Sequence, residues 1–272
     1  MDIGRYGIWR SRRRGVDGVA EIERLGFGAL WVGGSPGPEH IRAYLERTST
    51  LAVATGILNV WRHDPAEVAA GHHALRRDFG DRFVLGLGIG HPEATAEYRS
   101  PLATMRSFLD GLDAAPEPVP RDERILAALG PKMLALAGER TLGTHTYFTI
   151  PEHTRQAREA LGPSALVAPE VAVVVEADDE RAREVARDYA ATYLGLSNYT
   201  NTLLRFGFTD DDVAGGGSDR LIDAVIPHGT APAIAEAVQA HFEAGADHVA
   251  LQPLPRGAPY VADLEALAEA LR

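Results

Sequence analysis

The sequence predicts a single (β/α)8 TIM barrel with a helical insertion after the seventh strand. Eight apolar stretches have the nearly continuous hydrophobic character of parallel strands that are buried on both faces. A helical pattern follows each of them, and such crossover helices favour a closed parallel sheet. The length of 272 residues, 45% of them hydrophobic, fits one barrel of about 250 residues better than two average domains. Residues 1–272 are therefore expected to form one domain, with residues 177–229 as the insertion.

Strand and helix patterns alternate along the whole chain. Gly26 and Gly245 stop two of the helices, whereas Asp64 and Pro65 supply the N-cap and the first residue of another. The predicted strands are Arg5–Trp9, Ala29–Val32, Val53–Trp61, Phe83–Ile89, Ile125–Leu129, Thr144–Tyr147, Val171–Val175 and His248–Leu251. The predicted helices are Val16–Leu25, one that ends at Thr48, Pro65–Phe79, Pro101–Leu112, one that ends at Arg140, Pro151–Leu161, one that begins at Asp178, Thr230–Ala244 and Asp263–Leu271.

The third strand, Val53–Trp61, is the one around which the chemistry is expected. Gly56 and Asn59 interrupt its apolar run, and a glycine within a strand often marks a bulge or a close approach. The strand leads within a few residues into the helix that begins at Pro65, which is the kind of βα junction where barrels carry their active sites. A plain core strand with a tolerated glycine is the alternative.

The segment between the seventh strand and Thr230 is too long for one crossover helix. Its aromatic residues permit three interpretations: a lid over the site, a small satellite core, or a contact between two copies of the chain. These residues are Tyr189, Tyr193, Tyr199, Phe206 and Phe208.

The composition argues against several classes of function. The net charge of −11, without a dominant basic block, does not fit a nucleic-acid surface. The short basic cluster Arg10–Arg14 is either a solvated loop or a contact for an anion. The absence of cysteine removes disulfides, thiolate metal sites and cysteine nucleophiles. No signal peptide is recognisable and no run reaches the ~20 apolar residues of a membrane span, so a cytoplasmic protein is expected.

Neither a metal site nor a serine nucleophile is predicted. His72 and His73 are adjacent on a helix and point in different directions, and no carboxylate stands with them or with His63 at metal-ligand spacing. Ser35 and Ser218 lack a nucleophile-elbow motif and a recognisable base.

Two glycine-containing segments are candidates for ligand contact. Gly86, Gly88 and Gly90 lie within and at the end of a strand, so they are not a dinucleotide fingerprint. They either let a flat ring lie against the barrel mouth or relieve crowding in the barrel wall. Gly130 precedes a helix that starts at proline, and the positive helix end suits a phosphate, with Lys132 as an added cation. A purely structural helix start is the alternative there.

Five stretches together resemble the bacterial luciferase-like family, whose members use flavin mononucleotide (FMN) or the deazaflavin coenzyme F420. Phe27–Gly33, Val53–Trp61 and Arg82–Gly90 resemble its second, third and fourth strands, and Ala127–Met133 with Leu136–Gly138 resembles its fifth strand and the following helix. The resemblance is to the F420-dependent oxidoreductase branch in particular. It implies hydride transfer between F420 and a small organic substrate, in a protein that is often a homodimer. An FMN-dependent monooxygenase and a non-catalytic flavin- or F420-binding protein are the alternatives.

The resemblance also implies where the cofactor binds. Its ring is expected across the carboxyl ends of the strands, against a non-prolyl cis peptide bond at Gly56–Ile57, with its phosphate at Leu129 and Gly130. The residues expected to bind it are Gly33, Gly34, Ser35, Gly56, Ile57, Leu58, Asn59, Gly88, Gly90, Ala128, Leu129, Gly130, Lys132, His145 and Tyr147.

The chain departs from the family pattern in two places. Many F420 dehydrogenases and the luciferases have a histidine where this chain has Gly33-Gly34-Ser35. Where some F420 dehydrogenases have a glutamate after the fourth strand, this chain has His91, with Glu93 two residues on. We expect His91 to exchange the proton that accompanies hydride transfer, with Asn59 and Glu93 as further catalytic candidates. A histidine that only begins the turn at Pro92 is the alternative.

Overall fold

The predicted barrel is present in the computed structural model, which describes residues 2–95, 98–254 and 260–272. Within these residues the sheet contains 11 strand segments, all parallel. Two barrel strands consist of two segments each, and His228–Gly229 only extends the sheet beside the end of the seventh strand, which leaves eight barrel strands. These are β1 (Tyr6–Ser11), β2 (Ala29–Gly33), β3 (Ala52–Thr55 and Leu58–Asn59), β4 (Phe83–Gly88), β5 (Arg124–Leu126), β6 (Gly143–Thr144), β7 (Leu166–Val167 and Glu170–Val175) and β8 (Val249–Leu254).

The seventh strand closes the barrel by changing its partner at Pro169. Its first segment, Leu166–Val167, pairs with β6, and its second, Glu170–Val175, pairs with β8. Strand β8 pairs in turn with β1, so the ring is complete. The prediction of this strand as Val171–Val175 missed the first segment, because Pro169 cannot donate to a ladder and divides the strand into two short runs.

Proline and capping side chains begin most of the helices, as the sequence predicts. Pro65–Phe79 and Pro151–Leu161 have the predicted bounds, and the Asp64 carboxylate caps the former by accepting two backbone N–H bonds. The first helix begins at Val19, because Gly18 before it has a left-handed φ of 74°. The helices are α1 (Val19–Arg24), α2 (Pro38–Leu45), α3 (Pro65–Phe79), α4 (Pro101–Asp113), α5 (Pro131–Arg140), α6 (Pro151–Leu161), α7 (Asp179–Leu194), α8 (Ser197–Arg205), α9 (Asp210–Val213), α10 (Asp219–Val225), α11 (Ala231–Glu243) and α12 (Tyr260–Ala270). None of the helices in the described parts of the chain is both long enough and apolar enough to cross a membrane.

The insertion, from α7 to α10, adds a second hydrophobic core beside the barrel. Tyr189, Tyr199 and Phe208 are buried there together with Phe148 from the segment after β6. The satellite-core interpretation is therefore correct for these three insertion residues. Tyr193 packs partly buried against the same cluster.

Strand β3 is broken next to β4, where the two backbones approach closely. The Gly56–Ile57 peptide bond is cis, as the resemblance implies. A Cβ at Gly86 would overlap the carbonyl oxygen of Thr55, and a Cβ at Gly88 would lie 2.5 Å from the side chain of Ile57. The Thr55 hydroxyl also donates to the Gly86 carbonyl at 2.7 Å. The glycines of β4 therefore relieve crowding in the barrel wall.

Replacing Gly86 with alanine is expected to destabilise the protein by about 1–3 kcal/mol, the usual scale of overpacking. The reason is that a backbone carbonyl, which cannot move aside, occupies the place of the new methyl group. Gly138 in α5 is the matched control, because a Cβ there would lie no closer than 3.7 Å to Leu161. Gly138→Ala should leave the stability unchanged or raise it by up to about 1 kcal/mol. Urea unfolding followed by circular dichroism measures both, and equal stabilities would contradict the close approach of β3 and β4.

Candidate active site

A cavity of about 880 Å³ opens at the carboxyl ends of the barrel strands. Its wall is formed by the segments that follow β1 to β6 and by residues of α8. The cavity brings together most of the residues proposed from the sequence, although their roles stay predictions. These are Gly34, Ser35, Gly56, Ile57, Asn59, Gly88, Gly90, His91, Ala128, Leu129, Gly130, His145 and Tyr147.

Three residues proposed to bind the cofactor lie outside the cavity wall. A Cβ at Gly33 would overlap the Trp9 ring, so Trp9 separates this glycine from the cavity. Leu58 is fully buried in the core, because neighbouring residues of a strand point to opposite faces and Ile57 faces the cavity. The Lys132 side chain is exposed on α5.

The floor of the cavity is a stack of aromatic rings. His145 lies parallel to Trp31, with ring centroids 4.0 Å apart and planes at 10°. The Trp31 indole N–H donates to Nε2 of His248 at 3.0 Å, and Nδ1 of His248 donates to the Gly4 carbonyl at 2.8 Å. Nδ1 of His145 likewise donates to the Ala168 carbonyl at 2.7 Å. Both imidazoles are thus held in the tautomer that carries the proton on Nδ1.

His145 lines the cavity and consequently has an unused acceptor. Its Nε2 is buried and has no hydrogen-bond partner among the described residues. Burial lowers the pKa of His145 to about 3, and the hydrogen bond to the Ala168 carbonyl opposes this shift only in part. The ring is neutral at pH 7, so Nε2 carries a lone pair. A ligand with an N–H or O–H donor would satisfy it.

Hydrogen bonds align the ends of β2, β3 and β4 along one side of the cavity. The Ser35 hydroxyl oxygen accepts the Asn59 backbone N–H at 2.9 Å, and the Asn59 side-chain oxygen accepts the Trp61 backbone N–H at 3.1 Å. The Trp61 indole donates to the Ile89 carbonyl at 2.7 Å. Because the oxygen of Asn59 is engaged, its NH₂ group is the part that lies beside Gly90.

His91 lies at the end of β4, half-buried against Tyr199 of α8, with ring centroids 5.1 Å apart. The side-chain nitrogen of Asn198 lies 3.3 Å from His91 Nδ1 and 3.4 Å from the Gly90 carbonyl. A carbonyl can only accept, so this amide nitrogen donates, and His91 Nδ1 accepts while Nε2 carries the proton. Burial lowers the pKa of His91 below its ordinary value, and the Glu93 carboxylate opposes this shift.

Glu93 makes a contact with the insertion and does not line the cavity. Its exposed carboxylate accepts the backbone N–H of Ser197, the first residue of α8, at 3.0 Å. A negative charge is favourable at a helix N-terminus, and hydrogen bonding from Ser197 lowers the pKa of Glu93. Glu93 therefore links the segment after β4 to the helix that carries Asn198 and Tyr199.

The turn before α5 forms another side of the cavity. Gly130 has an extended backbone with φ −93°, and a Cβ at this position would meet nothing within 4 Å. The N-terminus of α5 therefore faces open space. Arg205 of α8 lies beside this turn and donates to the Leu129 carbonyl at 3.4 Å, and the same carbonyl accepts from Nε2 of His153 at 2.9 Å.

Tyr147, after β6, connects the cavity wall to the insertion. Its hydroxyl lies 2.8 Å from the hydroxyl of Tyr189 and 2.9 Å from that of Tyr193, and it donates to the side-chain oxygen of Gln252 at 2.8 Å. Burial raises the pKa of Tyr147 well above its ordinary value. The cavity thus has a neutral phenol in its wall, packed against Trp9 at 5.2 Å between ring centroids.

The cavity wall is cationic, although the protein as a whole is acidic. No aspartate or glutamate lines it in the described part of the chain. The arginines that line it are Arg12, Arg13, Arg62 and Arg205. The sequence offered a signal for the first two in the Arg10–Arg14 cluster. It offered none for Arg205 or Asn198, because nothing local indicates that α8 lies over the barrel mouth. Within residues 2–95, 98–254 and 260–272, no three His, Asp or Glu side chains form a group that would hold a metal.

A comparison with protein families bears directly on this site. Residues 4–115 match the family model described as luciferase-like monooxygenase. The resemblance to the luciferase-like family is confirmed. That family consists of enzymes, in agreement with the expectation from the sequence. No curated protein matches the sequence.

Solved structures extend the luciferase-like similarity to nearly the whole chain. An F420-dependent secondary alcohol dehydrogenase in complex with an F420–acetone adduct superposes with a TM-score of 0.77 at 17% identity, over 98% of this chain and 99% of that one. The F420-dependent tetrahydromethanopterin reductase of Methanopyrus kandleri gives 0.71 at 16% identity, over 97% of each chain. The oxygenating constituent of 3,6-diketocamphane monooxygenase from Pseudomonas putida, in complex with FMN, gives 0.73 at 16%, over 98% of each. The luciferase-like fold thus covers the full barrel.

Acid is expected to destabilise the protein through its buried histidines. Burial lowers the pKa of His145 to about 3 and that of His248 to about 4, whereas an imidazole in the unfolded chain titrates near about 6.5. The unfolded state therefore binds more protons than the folded state in this window. The stabilising contribution of these histidines should be complete above about pH 6.5. It should be lost as the pH falls from there toward about 4 for His248 and toward about 3 for His145.

The variant His145→Gln isolates one of these groups. Its melting temperature should depend less steeply on pH between about 6.5 and 4 than that of the unaltered protein. Differential scanning calorimetry in a series of buffers measures the variant and the unaltered protein. An unchanged slope in His145→Gln would show that His145 is not held neutral by burial.

Proposed function

We propose that the protein is an F420-dependent oxidoreductase that transfers a hydride between the deazaflavin and a small organic substrate. The observation that carries this proposal is the turn at Leu129 and Gly130, which presents the open N-terminus of α5 to the cavity. Such a helix end, with Arg205 beside it, suits a phosphate group. Two of the solved structures with the same fold are F420-dependent enzymes, which favours F420 as the cofactor that carries this phosphate.

The floor of the cavity fits the ring of such a cofactor. F420 and FMN share a pyrimidine edge with a ring N–H, and Nε2 of His145 is a buried acceptor without a partner in the described chain. The side chain of Ile57 occupies the space above Gly88, so Ile57, and not the glycine itself, would support the flat ring. The NH₂ group of Asn59 is a further polar contact beside Gly90 in the same cavity wall, whereas the hydroxyl of Tyr147 already donates to Gln252.

The bound cofactor would supply the hydride chemistry, and the chain supplies binding, orientation and proton exchange. We assign the proton exchange to His91, because this residue lines the cavity and Asn198 contacts its Nδ1, which leaves the Nε2–H available. This N–H can donate to a substrate oxygen on which negative charge develops. If Nδ1 becomes protonated, rotation of the Asn198 amide places its oxygen as the acceptor, so the same side chain stabilises both forms.

Asn59 and Glu93 have different places in this proposal. Asn59 faces the cavity and is assigned to cofactor or substrate binding through its NH₂ group. Glu93 is a positioning residue, because it holds the first turn of α8 and thereby Asn198.

An FMN-dependent monooxygenase is the second candidate. The observation that favours it is the TM-score of 0.73 with the FMN complex of a type II Baeyer–Villiger monooxygenase. FMN has the same pyrimidine edge and a phosphate. Both cofactors therefore offer an N–H donor for His145 and a phosphate for the turn at Gly130. The homodimer and the cytoplasmic location expected from the sequence stay predictions.

Binding of F420 is expected to be tighter than binding of FMN, and both should depend on Gly130. Gly130→Asp places a negative charge at the end of α5, so the affinity for F420 should fall about tenfold or more. Gly130→Ala is the matched control, since a Cβ meets nothing within 4 Å and the charge is unchanged. Fluorescence titration of each protein with F420 and with FMN measures these affinities. If FMN binds more tightly than F420, FMN is the cofactor to assign. If Gly130→Asp binds F420 as tightly as the unaltered protein, the phosphate of the cofactor does not lie at Gly130.

Loss of the His91 side chain should affect turnover and leave cofactor binding intact. His91→Ala is expected to lower kcat about 10²-fold or more, the usual scale for a proton-transferring group. His73→Ala serves as the control, because this histidine contacts the Pro118 carbonyl and does not line the cavity. A screen of alcohols, ketones and activated alkenes with F420 first supplies the substrate. Full turnover in His91→Ala would make His91 part of the scaffold.

A further inference from the structure

A second cavity, of about 230 Å³, lies next to the first, and Trp9, Ser11 and Arg13 line both. Its other lining residues come from β1 and the turn after it, from β8 and from the start of α12. They are Arg10, Arg14, Gln252, Pro253 and Tyr260. The volume suits a small group such as a carboxylate or a phosphate, and not a whole cofactor.

Arg10 gives this cavity a buried positive charge. Its side chain is 3% exposed. Two of its nitrogens donate to the carbonyls of Asp17 and Gly15, which hold the guanidinium in place, whereas Nε has no partner in the described chain. Carbonyls do not neutralise a charge, and no carboxylate lines this cavity within the described residues. A buried charge without a counter-ion is unfavourable, so the cavity favours an anion.

Gln252, which also lines this cavity, adds a second buried donor. It is 2% exposed, and its side-chain oxygen is engaged by the hydroxyl of Tyr147 at 2.8 Å. That contact leaves the NH₂ group as the free part of the amide, and this nitrogen has no partner among the described residues. Arg10 and Gln252 therefore contribute donors and no acceptor, which is the arrangement that a carboxylate or phosphate oxygen requires.

We propose that the second cavity binds an anionic group, a carboxylate or a phosphate, that belongs to the substrate. The rest of the substrate would extend past Trp9 and Ser11 into the main cavity, since both residues line the two cavities. This inference rests on the proposed function and narrows its substrate to organic acids and phosphate esters. The Arg10–Arg14 cluster is then an anion contact, with Arg13 at the boundary between the cavities.

Titration calorimetry with inorganic phosphate tests the site in F420-loaded protein, in which the cofactor's own phosphate occupies the turn at Gly130. Gln252→Glu keeps an oxygen for the Tyr147 hydroxyl but replaces the free NH₂ group with a negative oxygen. It should abolish phosphate binding. Arg13→Gln should weaken phosphate binding about tenfold or more, the scale of one charge-assisted hydrogen bond. Arg47→Gln is the matched control, because Arg47 is exposed and lines neither cavity.

Competition between phosphate and F420 distinguishes the two sources of an anion. If the substrate supplies it, phosphate binds to the F420-loaded protein without displacing F420. Displacement of F420 by phosphate would assign the anion to the cofactor and overturn the proposal. Phosphate binding that is equal in Gln252→Glu and in the unaltered protein would also overturn it. If F420 does not bind at all, the proposed function is wrong. The second cavity can still be tested, by comparing phosphate binding in Gly130→Asp with phosphate binding in the double variant Gly130→Asp, Gln252→Glu.

Discussion

The close approach of β4 to the broken end of β3 is the constraint on which the rest of the site depends. No side chain fits at Gly86 against the Thr55 carbonyl, and the side chain of Ile57 fills the space over Gly88. This packing brings Asn59 of one strand beside the end of the other and lets the Trp61 indole reach across to β4. A larger residue in β4 would separate these strand ends, and with them the polar groups on this side of the cavity.

The site is positively charged, whereas the protein as a whole is negatively charged. The chain has a formal net charge of −11, yet both cavities are lined by arginines and, in the described residues, by no carboxylate. Exposed charges are screened over about 8 Å at physiological ionic strength, so groups within the cavities determine what binds there. The buried histidine at the floor adds an acceptor without adding charge, because burial keeps His145 neutral. The result is a surface with arginines at its edges and, among the described residues, an acceptor without a partner at its base.

The parts of the structure that were predictable are those with local signals. Pro65 and Pro151 mark helix starts by their own chemistry, and the two helices have the predicted bounds. The glycines of β4 were recognised as special, although the sequence left open whether they serve packing or a ligand. Leu58 is among the residues that the sequence predicts to bind the cofactor, but strand alternation places it in the core. Contacts from α8, such as that of Asn198 with His91, are non-local, and no local pattern encodes them.

The central claim is that Nε2 of His145 accepts a hydrogen bond from the ring of a bound deazaflavin. Nitrogen NMR of protein labelled with ¹⁵N-histidine, recorded before and after addition of F420, tests it directly. The account predicts that the Nε2 resonance of His145 moves upfield from the position of an unbonded imidazole nitrogen. The corresponding resonance of His248, which already accepts from Trp31, should stay in place as the internal reference. Saturation with F420 that leaves the His145 resonance unchanged would contradict the account.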